Sequence, residues 1–297
     1  MKVLLATDSS TEATAAIETA DRLIRTPDRQ FDLLCVAPRL SKKHPAHARE
    51  NEYERRALRE ITQILEKSLR SVTPKGTTIR LLKEIGSPAA SIVSRTSDYD
   101  LTVIGPKGRG TAGEVGLGPV ASRVVEHARG AILVARKLRS EEGLRILVAV
   151  DGSIPGFHAI ETLGEVMDIS AADICLMHVA ETPWTELGLE ADWVTYSEED
   201  KEHSEAGVIE HEMVREGEQL LEQARELLLP FRPSITKRLD EGDPANEILS
   251  EAERGGYDLI VLGATGARDL KHQMLGSVSA KVAWNAPCSV LIVREPE

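Results

Sequence analysis

The segment VLLATDSS, residues 3–10, is the most informative stretch of the sequence for predicting the fold. A short apolar run is followed at once by Asp8 and two serines. This pattern is typical of a buried strand that ends in a turn able to cap a helix. The sequence ILVAVDGS, residues 146–153, has the same pattern, which indicates that one structural unit occurs twice in the chain.

Further pairs of similar segments occur in the same order in both halves of the chain. They are LLCVA and LMHVA, GSPA and GDPA, YDLTVIG and YDLIVLG, and AILVAR and SVLIVR. Because their order and spacing persist, we predict two domains, 1–138 and 144–297. The spacing increases mainly after the second strand of the C-terminal copy, so the acidic segment 181–212 is predicted to be an insertion.

Short apolar runs alternate with segments in which apolar residues recur every three to four positions. The strands predicted for the N-terminal copy are 3–7, 33–37, 79–84, 101–105 and 132–135. The helix faces predicted to be buried there are Ala13, Ala16, Ile17, Ala20, Leu23 and Ile24, then Leu58, Ile61, Leu65 and Leu69. This alternation predicts an α/β fold with two five-stranded parallel sheets covered on both faces. Ligands of such sheets bind beyond the carboxyl ends of the strands, at the point where the strand order reverses.

The composition excludes several classes of protein. The 297 residues are 41% hydrophobic and 28% charged, as in soluble globular proteins, and their formal net charge is −12. This acidity argues against binding to nucleic acid or to an anionic membrane. No run approaches the ~18 apolar residues of a membrane span, and the first strand is too short for a secretory signal. Buried, reduced thiols are predicted at Cys35, Cys175 and Cys288, which fits a cytoplasmic location.

The segment GATGARDLKHQMLGSVS, residues 263–279, predicts an anion site after the fourth strand of the C-terminal copy. Its glycines permit close approach of a ligand to the backbone. Gly276 and Ser277 precede a predicted helix, whose first turn offers free N–H groups and a hydroxyl. The same loop has three basic residues, Arg268, Lys271 and His272. They either add positive charge to the anion site or are solvated loop residues.

The repeated unit resembles the universal stress protein domain over nearly the whole chain. The resemblance rests on VAVDGS, HVAET, GDPA, DLIVLG, the glycine loop and NAPCSVLIVRE. ATP-binding members of that family have Gly, two residues, Gly, nine residues, Gly, then Ser or Thr. Gly263, Gly266, Gly276 and Ser277 match this spacing. The resemblance implies a tandem universal stress protein whose Rossmann-like domains, of adenine-nucleotide alpha-hydrolase-like type, pack as a pseudo-dimer through their last strands.

For the C-terminal copy the resemblance implies bound ATP, with Mg²⁺ as the expected metal, and a regulatory or signalling role in the stress response. Ala149 and Asp151 would contact the adenosine part, and the backbone of Val179 would face the adenine. The residues that would surround the phosphates are Gly263, Gly266, Gly276, Ser277 and Val278. The resemblance assigns no catalytic residue and no metal-ligating residue.

The N-terminal copy departs from the family pattern at Pro119. Proline can begin a helix, but it lacks the N–H and the hydroxyl of the expected Ser or Thr. Losing ~3 kcal/mol of phosphate bonds weakens binding by roughly a hundredfold. The candidate residues of this degenerate site are Asp8, Val36, Gly105, Gly108 and Gly118. It binds nucleotide weakly, binds another ligand or binds nothing.

Two other functions stay open at this stage. One is an enzyme, a slow ATPase or nucleotidyl-transfer enzyme, although the sequence has neither a Walker A lysine motif nor a recognisable nucleophile–base pair. The other is a module that binds a non-nucleotide ligand. An unidentified protein partner and a homodimer of two chains are also expected.

The acidic insertion and the single histidines carry the remaining hypotheses. His203 and His211 lie two helical turns apart, so the insertion is either a metal site or a solvated acidic helix with a lid or partner-facing loop. Trp184 and Trp193 indicate that some face of the insertion is covered. The histidines interpreted as structural or surface residues are His127, His158 and His178.

Overall fold

The computed structural model describes residues 1–24, 28–40, 50–72, 77–110, 116–139, 143–180, 205–266 and 275–295. In the N-terminal half, the chain forms β1 (Lys2–Ala6), α1 (Thr11–Leu23), β2 (Arg29–Pro38), α2 (Glu50–Ser68), β3 (Thr77–Gly86), α3 (Pro88–Val93), β4 (Leu101–Ile104), α4 (Pro119–His127) and β5 (Ala131–Val134). The C-terminal half repeats this order with β6 (Leu144–Ala149), α5 (Ile154–Val166), β7 (Ala172–Ala180), α6 (Glu205–Leu228), β8 (Ser234–Glu241), α7 (Pro244–Gly255), β9 (Leu259–Gly263), α8 (Ser277–Asn285) and β10 (Ser289–Val293).

All ten strands form one sheet, in the order β3-β2-β1-β4-β5-β10-β9-β6-β7-β8. The strands of each half are parallel, whereas β5 and β10 pair antiparallel, with Val134 opposite Val290 and Ala131 opposite Val293. Arg136 strengthens this junction, because its guanidinium donates to the carbonyl of Cys288 at 2.9 Å. The predicted pseudo-dimer of five-stranded sheets is therefore confirmed, and the last strands join the halves.

The sheet has a hydrophobic core on each face, as predicted. Helices α1, α2, α5 and α6 cover one face, and α3, α4, α7 and α8 cover the other. The outer strands β3 and β8 are only partly buried and are rich in charged residues, such as Arg80 and Lys83 in β3. Charged side chains on an edge strand discourage pairing with other chains.

Two predicted helix faces show how far periodicity determines burial. In α1 the predicted apolar residues are buried, and Ser10 caps the helix by accepting from the amide of Ala13 at 3.2 Å. In α2, by contrast, the prediction for Leu58 and Leu69 was wrong, since they are 41% and 37% exposed. Ala57 packs inward instead. Leu58 is about 100° further around the helix, and Leu69 already belongs to a 3-10 turn.

The three cysteines are free and buried, as predicted. Burial raises the pKa of Cys35 to about 11 and the pKa of Cys288 to about 12. Among the helices described, none combines the length and the apolar character needed to span a bilayer.

Candidate functional site

A cavity of about 520 Å³ lies beyond the carboxyl ends of the strands in the C-terminal half. It opens where β6 lies between β7 and β9, which is the reversal point of the strand order. The structure brings together here all the residues predicted for the C-terminal site: Ala149, Asp151, Val179, Gly263, Gly266, Gly276, Ser277 and Val278. Their role toward a ligand stays a prediction.

Asp151 is held in a fixed position at the start of α5. Its Oδ1 accepts from the amide of Ser153 at 3.0 Å and from the hydroxyl of Ser153 at 2.6 Å. The same hydroxyl oxygen accepts from the amide of Gly156 at 3.0 Å, which caps α5. A Cβ on Gly266 would lie 3.2 Å from Oδ2 of Asp151, so glycine lets the loop after β9 approach this carboxylate closely.

The first turn of α8 faces this cavity without a capping side chain. Its N-cap, Gly276, has extended backbone and offers no side-chain acceptor. Ser277 is exposed, Val278 is half-buried, and both line the cavity. The amide of Gly276 donates to the carbonyl of Ala264 at 2.8 Å, which closes the base of the glycine loop. Uncapped N–H groups and the positive end of the helix dipole favour an anion at this position.

Helix α6 contributes a wall of the cavity that was not predicted from the sequence. Met213, Glu216 and Leu220 line it, one helical turn apart. Periodicity shows that such a helix is amphipathic, but not which of its turns lies beside the strand ends. His178, interpreted as structural or surface, also lines the cavity, and its Nδ1 is 2.6 Å from the carbonyl oxygen of Val150.

The N-terminal half has an equivalent cavity of about 660 Å³. The residues predicted for the degenerate site all line it: Asp8, Val36, Gly105, Gly108 and Gly118. Asp8 accepts from the amide of Ser10 at 2.9 Å and from the amide of Arg109 at 2.7 Å. A Cβ on Gly108 would lie 2.6 Å from Oδ2 of Asp8, so this glycine too permits a close approach.

The two cavities differ where a helix begins. Helix α4 starts with Pro119 after an uncapped Gly118, whereas α8 starts with Ser277 after an uncapped Gly276. The loop before α4 closes as its counterpart does, because the amide of Gly118 donates to the carbonyl of Pro106 at 2.8 Å. The N-terminal cavity therefore keeps the hydrogen bond that closes the loop but has one amide and one hydroxyl fewer at the start of the helix.

The remaining predictions concern residues at the surface or residues outside the described part of the chain. Those outside it are Trp184, Trp193, His203, Arg268, Lys271 and His272. His211 is exposed on α6, and His127 and His158 lie 3.7 Å from Glu126 and Glu161 at the surface. Within the part of the chain that the structure describes, no three His, Cys, Asp or Glu side chains are grouped to hold a metal ion.

The strand order and the paired cavities define a duplicated, doubly wound α/β protein with one cavity at the strand ends of each half. The chain belongs to the universal stress protein family, whose sequence model matches residues 1–136 and 144–294. The stress response is the role associated with this family.

Individual relatives agree with this assignment. A universal stress protein of Methanocaldococcus jannaschii is 31% identical over 163 residues, which are 54% of this chain and 88% of that protein. One of Mycolicibacterium smegmatis is 23% identical and is matched over 98% of this chain and 96% of its own. The crystal structure of a universal stress protein from Archaeoglobus fulgidus has a TM-score of 0.64 at 17% identity. It covers 100% of this chain and 97% of its own, so it shares the tandem fold.

Proposed function

We propose that this protein binds ATP in its C-terminal cavity and that the bound nucleotide acts as a regulatory signal in the stress response. The observation that carries the proposal is the uncapped start of α8 beside the cavity, with Ser277 as its first residue. Three features meet there: backbone amides, a hydroxyl and the positive end of a helix dipole. Together they suit a phosphate group.

The charges of the cavity support an orientation for the nucleotide. Asp151 and Glu216 are acidic, and the described lining has no lysine or arginine. A carboxylate only accepts hydrogen bonds, so Asp151 suits the hydroxyl and amine donors of adenosine, alongside Ala149 and Val179. The phosphates would lie at the glycine loop, with Mg²⁺ offsetting their charge.

Calorimetric titration of the full chain with ATP and Mg²⁺ tests the proposal. We expect one tight site per chain. Ser277→Pro, which copies the N-terminal half, should weaken this site by about a hundredfold, because it removes an amide and a hydroxyl. The matched control is Pro119→Ser, which should leave the tight site unchanged. Two equal sites in the original protein, or no ATP binding, would contradict the proposal.

Two further measurements separate binding from the other functions. Phosphate release with many turnovers, abolished by Gly276→Ala, would make the protein a slow ATPase rather than a nucleotide-state signal. Mass spectrometry of the ligand released from protein purified without added nucleotide tests the second alternative. Adenine nucleotide supports our proposal, whereas a different ligand from the C-terminal cavity overturns it.

A further inference from the structure

We propose that the N-terminal cavity is a separate site for a phosphate-free, amphipathic monocarboxylate: a molecule with an apolar body that ends in one carboxylate. This inference does not depend on ATP binding in the other half. It rests on three differences between the equivalent cavities, which concern the apolar wall, the glycine loop and the charged residues among the described lining.

The wall of the N-terminal cavity is apolar at two positions, one in α2 and one in β2, where the other half has a glycine and a histidine. Ile61 and Cys35 line the N-terminal cavity and are almost fully buried. In the C-terminal half, Gly217 corresponds to Ile61 and His178 corresponds to Cys35. His178 lines the cavity, and Gly217 lies against its imidazole ring. Ile64 extends the apolar surface by one helical turn, as Leu220 does in the other half. A cavity of about 660 Å³ with such walls favours a ligand that has an extensive apolar surface.

In the N-terminal half, Arg109 of the glycine loop is hydrogen-bonded to other parts of the protein. The guanidinium of Arg109 donates to Oε1 of Glu60 at 3.0 Å and to the hydroxyl of Ser9 at 2.6 Å. Its amide donates to Asp8, so the loop is tied to the residues before α1 and to the middle of α2 by protein groups alone. The corresponding residue in the other half is Ala267, which has no such side chain. With Pro119 at the start of α4, this cavity is poorly suited to a triphosphate.

The opening nevertheless has an excess of positive charge, in a chain whose net charge is −12. The charged residues that line the cavity are Asp8, Arg56, Glu60, Lys107 and Arg109. Arg109 is neutralised by Glu60, while Lys107 and Arg56 have no carboxylate partner among the described residues. A single carboxylate at the opening would complement Lys107, and its apolar body would lie against the wall below.

Calorimetry on the full chain with decanoate as the probe tests this site. We expect one decanoate per chain and at least tenfold weaker binding of decanol, which has the same chain length and no charge. Lys107→Ala should weaken decanoate binding by about tenfold, whereas Lys67→Ala, an equal loss of charge elsewhere on the N-terminal half, should not change it. Ala57→Met should also weaken binding, because it fills the cavity with the residue found at the equivalent position, Met213.

Circular dichroism and urea denaturation must show that each variant folds as the original protein does. The proposal is overturned if decanoate does not bind, if decanol binds equally well, or if Lys107→Ala has no effect. It is also overturned if ATP displaces decanoate by binding tightly at the N-terminal cavity. Since decanoate and ATP are measured separately, failure here leaves the ATP proposal intact, and the reverse holds as well.

Discussion

The indole of Trp284 lies directly against Gly116, so that a Cβ on this glycine would be 2.2 Å from Nε1 of the indole. Trp284 is near the end of α8, the helix whose first residue, Ser277, lines the C-terminal cavity. Gly116 precedes Gly118, which lines the N-terminal cavity. A single helix thus lines one cavity and contacts a residue beside the other.

We predict that Gly116→Ala destabilises the protein by more than the cost of placing alanine in a left-handed backbone conformation. Gly116 has φ +85°, which costs an alanine about 1 kcal/mol, and overlap with the indole adds about 1–3 kcal/mol. The matched control is Gly110→Ala in the same loop, where φ is +91° and the space is open. Equal urea midpoints for both variants would show that the indole contact is not restrictive.

A double-mutant cycle separates the two contributions to this effect. Adding Trp284→Ala to Gly116→Ala removes the overlap and leaves the backbone strain, so the double variant should be more stable than additivity of the two single variants predicts. Additive free energies of unfolding would instead indicate that the glycine is required for its backbone conformation alone.

Equivalent glycines at the ends of β4 and β9 should respond differently to the same substitution. A Cβ on Gly263 would lie 2.7 Å from the amide nitrogen of Gly156, whereas the shortest contact for Gly105 is 3.1 Å. Both contacts are with helix backbone, which cannot move aside easily, but the overlap at Gly263 is deeper. We therefore expect Gly263→Ala to cost about 1–3 kcal/mol and Gly105→Ala less than about 1 kcal/mol. Urea denaturation measures both, and a larger cost at Gly105 would contradict the prediction.

A buried carboxylate in β2 should make stability depend on pH. Burial raises the pKa of Asp32, but hydrogen bonds from Arg80, Tyr99 and Gln30 outweigh this, and the pKa lies below its usual 3.8. A lowered pKa stabilises the fold above the unfolded-state pKa, and that contribution is lost as pH falls through the folded-state pKa.

Asp32→Asn loses the charge on these hydrogen bonds and should be about 1–3 kcal/mol less stable than the original protein at pH 7, with the difference shrinking below about pH 4. Free energies of unfolding between pH 3 and pH 7 check this, with Asp98→Asn as the control at an exposed carboxylate. A difference that stays constant across this range would mean that the ionisation of Asp32 does not contribute to stability.

The buried thiols should be inert in the native protein. With the pKa of Cys35 at about 11, roughly one thiol in a thousand is ionised at pH 8, and Cys288 is less ionised still. Mass spectrometry after iodoacetamide treatment at pH 8 should find both unmodified until urea unfolds the chain. Rapid native alkylation of Cys288 would show that β10 opens readily from its central place in the sheet.

Much of the fold follows from the sequence because repetition and apolar runs are local signals. The pair VLLATDSS and ILVAVDGS predicts both copies, and the strand-end residues Asp151 and Gly263 meet because the carboxyl ends of parallel strands share one edge. Spacing alone also places Ser277 at the first position of a helix. These are relationships that a parallel sheet imposes on any sequence of this pattern.

Contacts between distant elements could not be predicted in the same way. The bonds of Arg109 to Glu60 and Ser9 depend on where α2 lies over the sheet, which no periodicity specifies. The exposure of Leu58 has the same cause, since an error of one residue turns a helix by about 100°. The position of Met213 beside the C-terminal cavity likewise follows from the packing of α6.

The pairing of β5 with β10 has an evolutionary consequence. If two identical chains met through these strands, any substitution would appear in both pockets at once. Covalent fusion of the halves frees each pocket to change alone, as Pro119 and Ser277 illustrate. It also fixes their ratio at one to one in every molecule, however much of the protein the cell makes.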